Sequence, residues 1–448
     1  MTAFAALLLS LLAARLTAAQ EHRHPVPPPA DSAAAADSAA LAPMAGMTMQ
    51  PGPLGMPRTR EASGTSWLPD ASPMHALHRQ AGDWELMLHG SLFIHYVDDG
   101  GDRGREQFGA TNWIMGMARR PAAGGDVMLR AMLSADPVTA TDCGYPDLLA
   151  TGEFCDGEPL HDRQHPHDVF MELAAAYERA LANDLALQLY GGPVGEPALG
   201  PVAFPHRTSS FPNPIAPIGH HWLDSTHITF GVATAGIYSH RWKAEASLFN
   251  GREPDSDRYD FDLDALDSYA GRVWLLPNER WALQISAGRL NEAEVHEVGG
   301  PRIDVTRVTA SATYHRPLPE AGVWASTITW GRNREGGEAT HAFLAETSLN
   351  LAERDVFYGR VEVAEKTGGD LVLPEELEER SFTVGKLGLG YVRQLDPVAG
   401  LVPGFGAGVT VSLVPDDLEP FYGSTSPAGV QLFFRLWPAP MTAGGLPH

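Results

Sequence analysis

The sequence predicts an all-β chain: a transmembrane, antiparallel up-and-down β-barrel of about sixteen strands behind a disordered N-terminal arm. Three observations predict it. From Trp84 onward, apolar and polar residues alternate with a period of two, as in a sheet whose faces meet different surroundings. The segments between these runs are long and short by turns. Trp and Tyr gather at the ends of runs that adjoin the short segments.

Taken in order, 1–19 reads as an export signal. Residues 5–14 are almost wholly apolar, and Thr17-Ala18-Ala19 offers small residues for cleavage before Gln20. No Lys or Arg precedes the apolar run, which leaves the start of translation open. That run is too short to cross a bilayer as a helix, and no later run reaches the required length. The remaining way to satisfy every backbone group in lipid is a closed barrel. Residues 20–82 are rich in Ala, Pro, Met and His, as in His22-Arg23-His24 and Pro27-Pro28-Pro29, and read as a disordered periplasmic arm.

The barrel is expected over 83–437. In 84–96, Trp84, Leu86, Leu88, Leu92, Ile94 and Tyr96 share one face, and Glu85, Met87, His89, Ser91 and His95 the other. The same pattern predicts strands at 84–96, 107–117, 126–134, 167–178, 184–191, 226–238, 241–250, 268–276, 280–290, 304–315, 321–331, 341–350, 355–365, 380–393, 402–414 and 427–437. Long connections fall at 135–166, 192–225, 251–267, 291–303, 366–379 and 415–426, with short ones between them. Long external loops and tight periplasmic turns produce this asymmetry. Trp84, Tyr177, Tyr238, Trp242, Trp281, Tyr314, Trp324, Tyr391 and Trp437 are expected to form an interfacial girdle, most of them facing lipid. Beyond Trp437 a tail, 438–448, departs from the terminal aromatic with which many outer-membrane chains end.

Cys143 and Cys155, the two cysteines of an exported chain, are expected to pair. Closing so short a loop is worth roughly 3 kcal/mol by chain entropy. The net charge of −23 argues against a nucleic-acid partner. The expected partners are outer-membrane lipid, the barrel assembly machinery, and small solutes or ions.

Around 245–275 the chain resembles bacterial porins, phosphate-selective ones included. Ser247-Leu248-Phe249-Asn250-Gly251 ends one run, an acidic loop follows, and Ser268-Tyr269-Ala270-Gly271-Arg272-Val273 opens the next. His161-Asp162-Arg163-Gln164-His165-Pro166-His167-Asp168 resembles a family of exported bacterial proteins of undefined role. In composition alone, the arm is similar to the N-terminal part of outer-membrane copper-resistance proteins.

Several groups have the chemistry to bind metal. Met44, Met47 and Met49, with Met56, Met74, His75 and His78, place soft thioethers and imidazoles in the arm, a set suited to Cu(I), Cu(II) or Zn(II). His161, His165, His167 and Asp168 form one group in a long loop, and His220, His221, Asp224 and His227 another where the next long loop rejoins its strand. The two groups are placed to face each other across the pore mouth as a Zn or Cu site. Hydrogen bonding to loop backbone is the simpler role and the one we favour from sequence. Asp260, Asp262 and Asp264 suggest weak Ca²⁺ binding, although the Gly and terminal Glu of a calcium loop are missing.

The inward face is expected to carry Glu85, His89, His95, Arg130, Glu172, Lys243, Glu245, Arg272, Arg307, Glu346, Arg360, Glu362, Lys386 and Arg435, a mixture of charges that sets selectivity. Met87, Met128 and Met132 join His89 and His95 there and offer Cu(I) a path. No Gly-x-Ser-x-Gly elbow is present, so an enzyme is not expected. The leading expectation is a porin-like channel for small solutes or ions. A metal-tolerance protein acting through the arm and the His-rich loops is the alternative.

Overall fold

A computed structural model describes residues 50–440, except 156 and 296–299. The export signal, the arm as far as 49 (with Met44, Met47 and Met49) and the tail from 441 lie outside the described residues.

The strands run in order as β1 (Leu77–Ala81), β2 (Trp84–Asp99), β3 (Glu106–Ala122), β4 (Gly125–Leu133), β5 (Tyr145–Cys155), β6 (Glu158–Gln164), β7 (Phe170–Ala182) and β8 (Leu185–Val194). They continue as β9 (Val232–Tyr238), β10 (Trp242–Phe249), β11 (Ser268–Asn278), β12 (Trp281–Val295), β13 (Arg302–Pro317) and β14 (Val323–Glu335). The last are β15 (Glu338–Leu351), β16 (Asp355–Thr367), β17 (Ser381–Gln394), β18 (Leu401–Leu413) and β19 (Ala428–Pro438). All but β1, β5 and β6 form one antiparallel ring of 16 strands in chain order. It closes where β19 pairs with β2, from Gly429 opposite Asp99 to Leu436 opposite Leu92. β1 adds to the start of β2, and β5–β6 form a separate hairpin.

Each predicted strand is present, with ends displaced by a few residues. The largest displacement is at β9, which starts at Val232 rather than 226, because Ser225–His227 turns as a short 3-10 helix within a buried loop. At one end of the ring the turns are tight, as between Ala122 and Gly125 or Asn278 and Trp281. At the other, connections such as 134–169 and 195–231 are long, and Gly336-Gly337 makes the one two-residue turn.

The two faces of the wall are inverted relative to a water-soluble protein. Along β11 the residues turned inward are Ser268, Ala270, Arg272 and Trp274, while Tyr269, Val273 and Leu275 are exposed. Arg272 is 1% exposed, whereas Ile285, Phe405 and Leu432 are 57%, 58% and 57% exposed. Buried charge with a continuous greasy exterior is the arrangement that lipid, not water, stabilises. The aromatic girdle follows the tight-turn end: Trp281 packs on Tyr314 at 4.8 Å, Tyr314 on Trp324 at 5.6 Å, and Arg120 lies over Trp84 at 5.3 Å. Tyr238 and Trp437 do not belong to it. Both are buried on the inner face, because in β9 and β19 they fall in phase with the lumen-facing positions.

The stretch 50–82 corrects the expectation of a disordered arm. Met56, Arg58, Arg60, Trp67 and Leu68 are buried, and Trp67 packs edge-on against Tyr238 at 5.7 Å inside the wall. Composition misled here because a segment held by a surrounding barrel needs no periodicity of its own. The two cysteines form the Cys143–Cys155 disulfide, which joins the segment just before β5 to the last residue of β5.

Replacing a mid-strand, lipid-facing residue by a charge tests the orientation of the wall. Leu432→Arg is expected to cost about 2–4 kcal/mol of folding stability, measured by denaturant unfolding in lipid vesicles.

Candidate functional site: the barrel lumen

Three segments fill the lumen: the N-terminal stretch from 50 to 76, the β5–β6 hairpin, and the loop 195–231. Most residues of that loop are buried, among them Leu199, Arg207, Ser209, His220, Trp222, Asp224 and Phe230. A sixteen-stranded ring is wide enough to leave an aqueous channel, and these segments occupy most of it.

Buried charges on the wall hold them there. Arg58 reaches Glu61 at 2.7 Å within its own segment, then Asp126 and Glu178 of the wall at 3.0 and 3.2 Å. Arg119 of β3 closes on the other oxygen of Glu61. Burial opposes ionisation of Glu61, but Arg119 and Arg58 outweigh it and hold its carboxyl at about 2. Arg60 and Lys243 lie on the Trp67 indole, each 4.7 Å from its centre. Lys243 also donates to the Thr65 carbonyl. Arg130 donates to the Gly64 carbonyl at 2.6 Å and pairs with Glu172 at 3.5 Å. Arg272 pairs with Glu245 at 2.9 Å and donates to Thr65 Oγ1 and to the Gly200 carbonyl.

The long loop is clamped in the same way. Arg207, fully buried, joins Asp224 at 2.9 Å within the loop to Glu346 of β15 at 2.6 Å. Arg360 pairs with Glu346 at 3.2 Å and donates to the Ile215 carbonyl at 2.8 Å; Glu362 stands 4.0 Å away. Arg307 donates to Ser225 at 2.8 Å, and Arg435 donates to Gln394 at 2.7 Å and to the Phe211 carbonyl. Lys386 pairs with Asp147 of the hairpin. Many of the wall charges read from sequence as lining a selective pore thus anchor its contents, while Glu85 borders the space left open. Within the Arg207 clamp, the guanidinium and His220 overcome the penalty of burial and hold the Asp224 carboxyl far below the usual carboxylate range.

The two histidine groups meet inside the lumen. Ring centres lie 6.1 Å apart for His165 and His221, 6.2 Å for His165 and His220, 5.2 Å for His220 and His227, and 5.5 Å for His167 and His227. Phe204 packs among His167, His220 and His227. The Nδ1 partners are Asp136 for His167 (2.8 Å), Asp224 for His220 (2.8 Å), Glu253 for His221 (3.0 Å) and the Asp224 carbonyl for His227 (2.8 Å). Of these four partners, that of His227 is loop backbone, the role favoured from sequence, and the other three are carboxylates. Burial pushes the imidazoles of His165, His206 and His220 down, and that of His227 to about 3. Gly152 of the hairpin, at φ +117°, lies so close that a Cβ there would stand 2.8 Å from the His221 ring.

His161 and Asp168 stand apart from this group. His161 bonds Asp162 beside Arg103, and Asp168 faces Arg258 at 3.5 Å. The acidic loop also differs from expectation. Asp255, not Asp264, joins Asp260 and Asp262, and Asp264 turns to Arg252 at 3.4 Å. His95 is buried against Tyr145, with ring centres 5.5 Å apart.

Below the histidines lie two adjoining cavities of about 100 and 70 Å³. Both are bordered by His75, His89 and Phe211. The larger, towards the tight-turn end, is also lined by Glu85, Met74, Met87, Met115, Met117, Met128 and His206. His75, His78 and Met74 belong to the arm; the structure brings His75 and Met74 to this cavity and sets His78 on β1 opposite Met87. Sequence reasoning missed Met115, Met117, Met171 and His206. Met115 and Met117 were legible as an i, i+2 pair on the same face as Trp113; nothing local marks the other two.

The closed ring of 16 strands carries an apolar belt, an aromatic rim and loops that are long at one end. The chain has the architecture of a porin-like outer-membrane barrel. It matches no family model and no curated protein sequence. Among solved structures it is similar to an anion-selective porin from Comamonas acidovorans, at 13% identity and TM-score 0.46 over 79% of this chain and 99% of that one. It is also similar to Salmonella typhi OmpF, at 8% and 0.48 over 80% and 100%, and to the DcaP channel of Acinetobacter baumannii, at 10% and 0.43 over 81% and 100%.

The Glu61 anchor has a defined pH dependence. Because its folded-state value is depressed, its stabilisation is complete above 4.5 and is lost as pH falls towards about 2. Stepwise unfolding measurements should show wild-type stability falling across that window. Glu61→Gln should start lower and fall less.

Proposed function

We propose that this protein is an outer-membrane channel for small ions, narrowed far below the width of its own barrel. The observation that carries this reading is the pair of adjoining cavities left between the lumen segments and the β2–β3 wall. Space on this scale admits single ions with a few waters, since one water takes about 30 Å³. A charged interior supports passage of ions, and opposed charges fixed in the wall set which sign is favoured.

The reading is of a channel rather than an enzyme. A Ser–His contact exists, Ser72 Oγ to His315 Nδ1 at 2.7 Å, but both residues are buried and the hydroxyl also reaches the Pro69 carbonyl. It fastens the N-terminal stretch to β13 and presents no open nucleophile.

Purified protein in planar bilayers is expected to give small, stepwise K⁺ conductance; a silent bilayer at high protein load contradicts the reading. Arg207→Ala leaves Glu346 and Asp224 without their shared cation, a loss of about 3–5 kcal/mol in the clamp. It should raise the single-channel conductance and its noise.

A further inference from the structure

The cavity towards the tight-turn end has a composition that neither packing nor ion conduction requires. Eight methionines fall among the described residues. Five of them, Met74, Met87, Met115, Met117 and Met128, line this one cavity. Two more, Met132 and Met171, line a small neighbouring space bordered by His206 and His227. The concentration follows from register: Met87 stands opposite Met117, His89 opposite Met115, and Met115 opposite Met132 on the inner faces of β2, β3 and β4. Directly opposed residues have Cβ atoms about 4.5–5.5 Å apart, close enough for flexible thioethers to share one ion. Methionine is a common filler of irregular gaps, but filler does not come with imidazoles among the sulfurs.

Here it does. His89 Nε2 lies 3.0 Å from Met115 Sδ, and the His89 ring is 5.7 Å from that of His206. His75 turns Nδ1 to the Pro438 carbonyl and stacks on Trp437 at 4.1 Å, which fixes the ring at the cavity edge. The Met128 sulfur is occupied by Arg119, so the donors available are Met74, Met87, Met115 and Met117 with these three histidines.

The second observation is the line of imidazoles leading to this cavity. From His221 through His220, His227 and His167, successive ring centres are 5.2–5.6 Å apart. In four of these rings Nδ1 is engaged by a carboxylate or a carbonyl. An outward partner on one nitrogen, orienting the ring and raising the basicity of the other, is how proteins present histidine to metal. Among the described residues, His221 with Glu253 and Glu294 also places three ligand atoms within 4.8 Å of one another at the long-loop end.

We propose that the lumen binds a soft monovalent metal cation of the Cu(I) class in the methionine–histidine cavity, with the imidazole line as its route from the outer mouth. Of the carboxylates bordering the cavity, Glu61 is held by Arg58 and Arg119 and Glu85 stands beside His78; the thioether and imidazole donors select such a cation over Mg²⁺ or Ca²⁺. Its passage across the membrane rests on the channel reading above; its binding does not.

Silver(I) is the probe, having the same charge and softness without redox chemistry. The full-length protein, labelled with ¹³C at the methionine methyls, is titrated in detergent micelles. The methyl signals of Met74, Met87, Met115 and Met117 are expected to shift together and saturate. The Met87→Leu/Met115→Leu/Met117→Leu variant conserves volume, and its folding is checked by heat-dependent gel migration. It should bind silver about 10- to 100-fold more weakly. Unshifted cavity methyls, or a folded variant that binds as wild type does, would overturn the proposal. Met44→Leu/Met47→Leu/Met49→Leu should keep the cavity shifts; their loss would place the ion on the arm and equally overturn it. Bilayers silent to K⁺ with cavity shifts intact would remove the channel reading and leave the site standing.

Discussion

Buried charge must be paired, and in this barrel the partners lie on segments that the wall encloses. Arg58, Arg130, Arg207, Arg272, Arg307, Arg360, Lys243 and Lys386 are all nearly inaccessible. An isolated ion in such surroundings costs several kcal/mol, and so does the loss of one member of a buried pair. Wall and contents are therefore thermodynamically one body. The ring supplies cations such as Arg119, Arg272 and Arg360; the inserted segments supply Glu61, Gly200, Ile215 and Asp147 as carboxylates or carbonyls. Without the inserts the wall charges would face water in a wide pore. With them, what remains is a narrow space along β2, β3 and β4.

The same division concentrates soft donors where paired charge is sparser. The wall from β10 to β17 carries most of the paired Arg, Lys and Glu, and the inserts pack tightly against it. On β2 and β3 the inner face carries mostly methionine and histidine, with Arg119 pairing to Glu61 of the N-terminal stretch near one end, and there the cavities persist. Asp224 links the two halves of this arrangement. One carboxylate accepts from Arg207, from the Phe204 amide and from His220, so the clamp that seats the loop also sets the orientation of an imidazole.

Much of the wall was legible in sequence because a strand between lipid and a polar lumen must alternate, and β11 or β10 can be read residue by residue. The reading failed where the environment changed partway along a segment. His227 and Ile228 look like the start of β9, yet they belong to the buried loop. Tyr238 and Trp437 sit at the rim but in phase with the lumen. The stretch 50–76 lacks any period, since its residues answer to several different wall strands. The histidine groups were visible as local clusters, and their meeting depended on both loops folding inward, which no short-range pattern encodes. Met115 and Met117 were in plain view; the opposition of Met87 to Met117 and of Met115 to Met132 needed the register.

The enclosed segments are packed as firmly as the wall itself. Hydrogen–deuterium exchange of the protein in lipid nanodiscs tests this most directly, read on backbone amides of 58–68 and 204–227. Protection comparable to that of β10 to β13 is expected. Exchange at the rate of an unstructured chain would mean an open barrel with loose contents, and would contradict it.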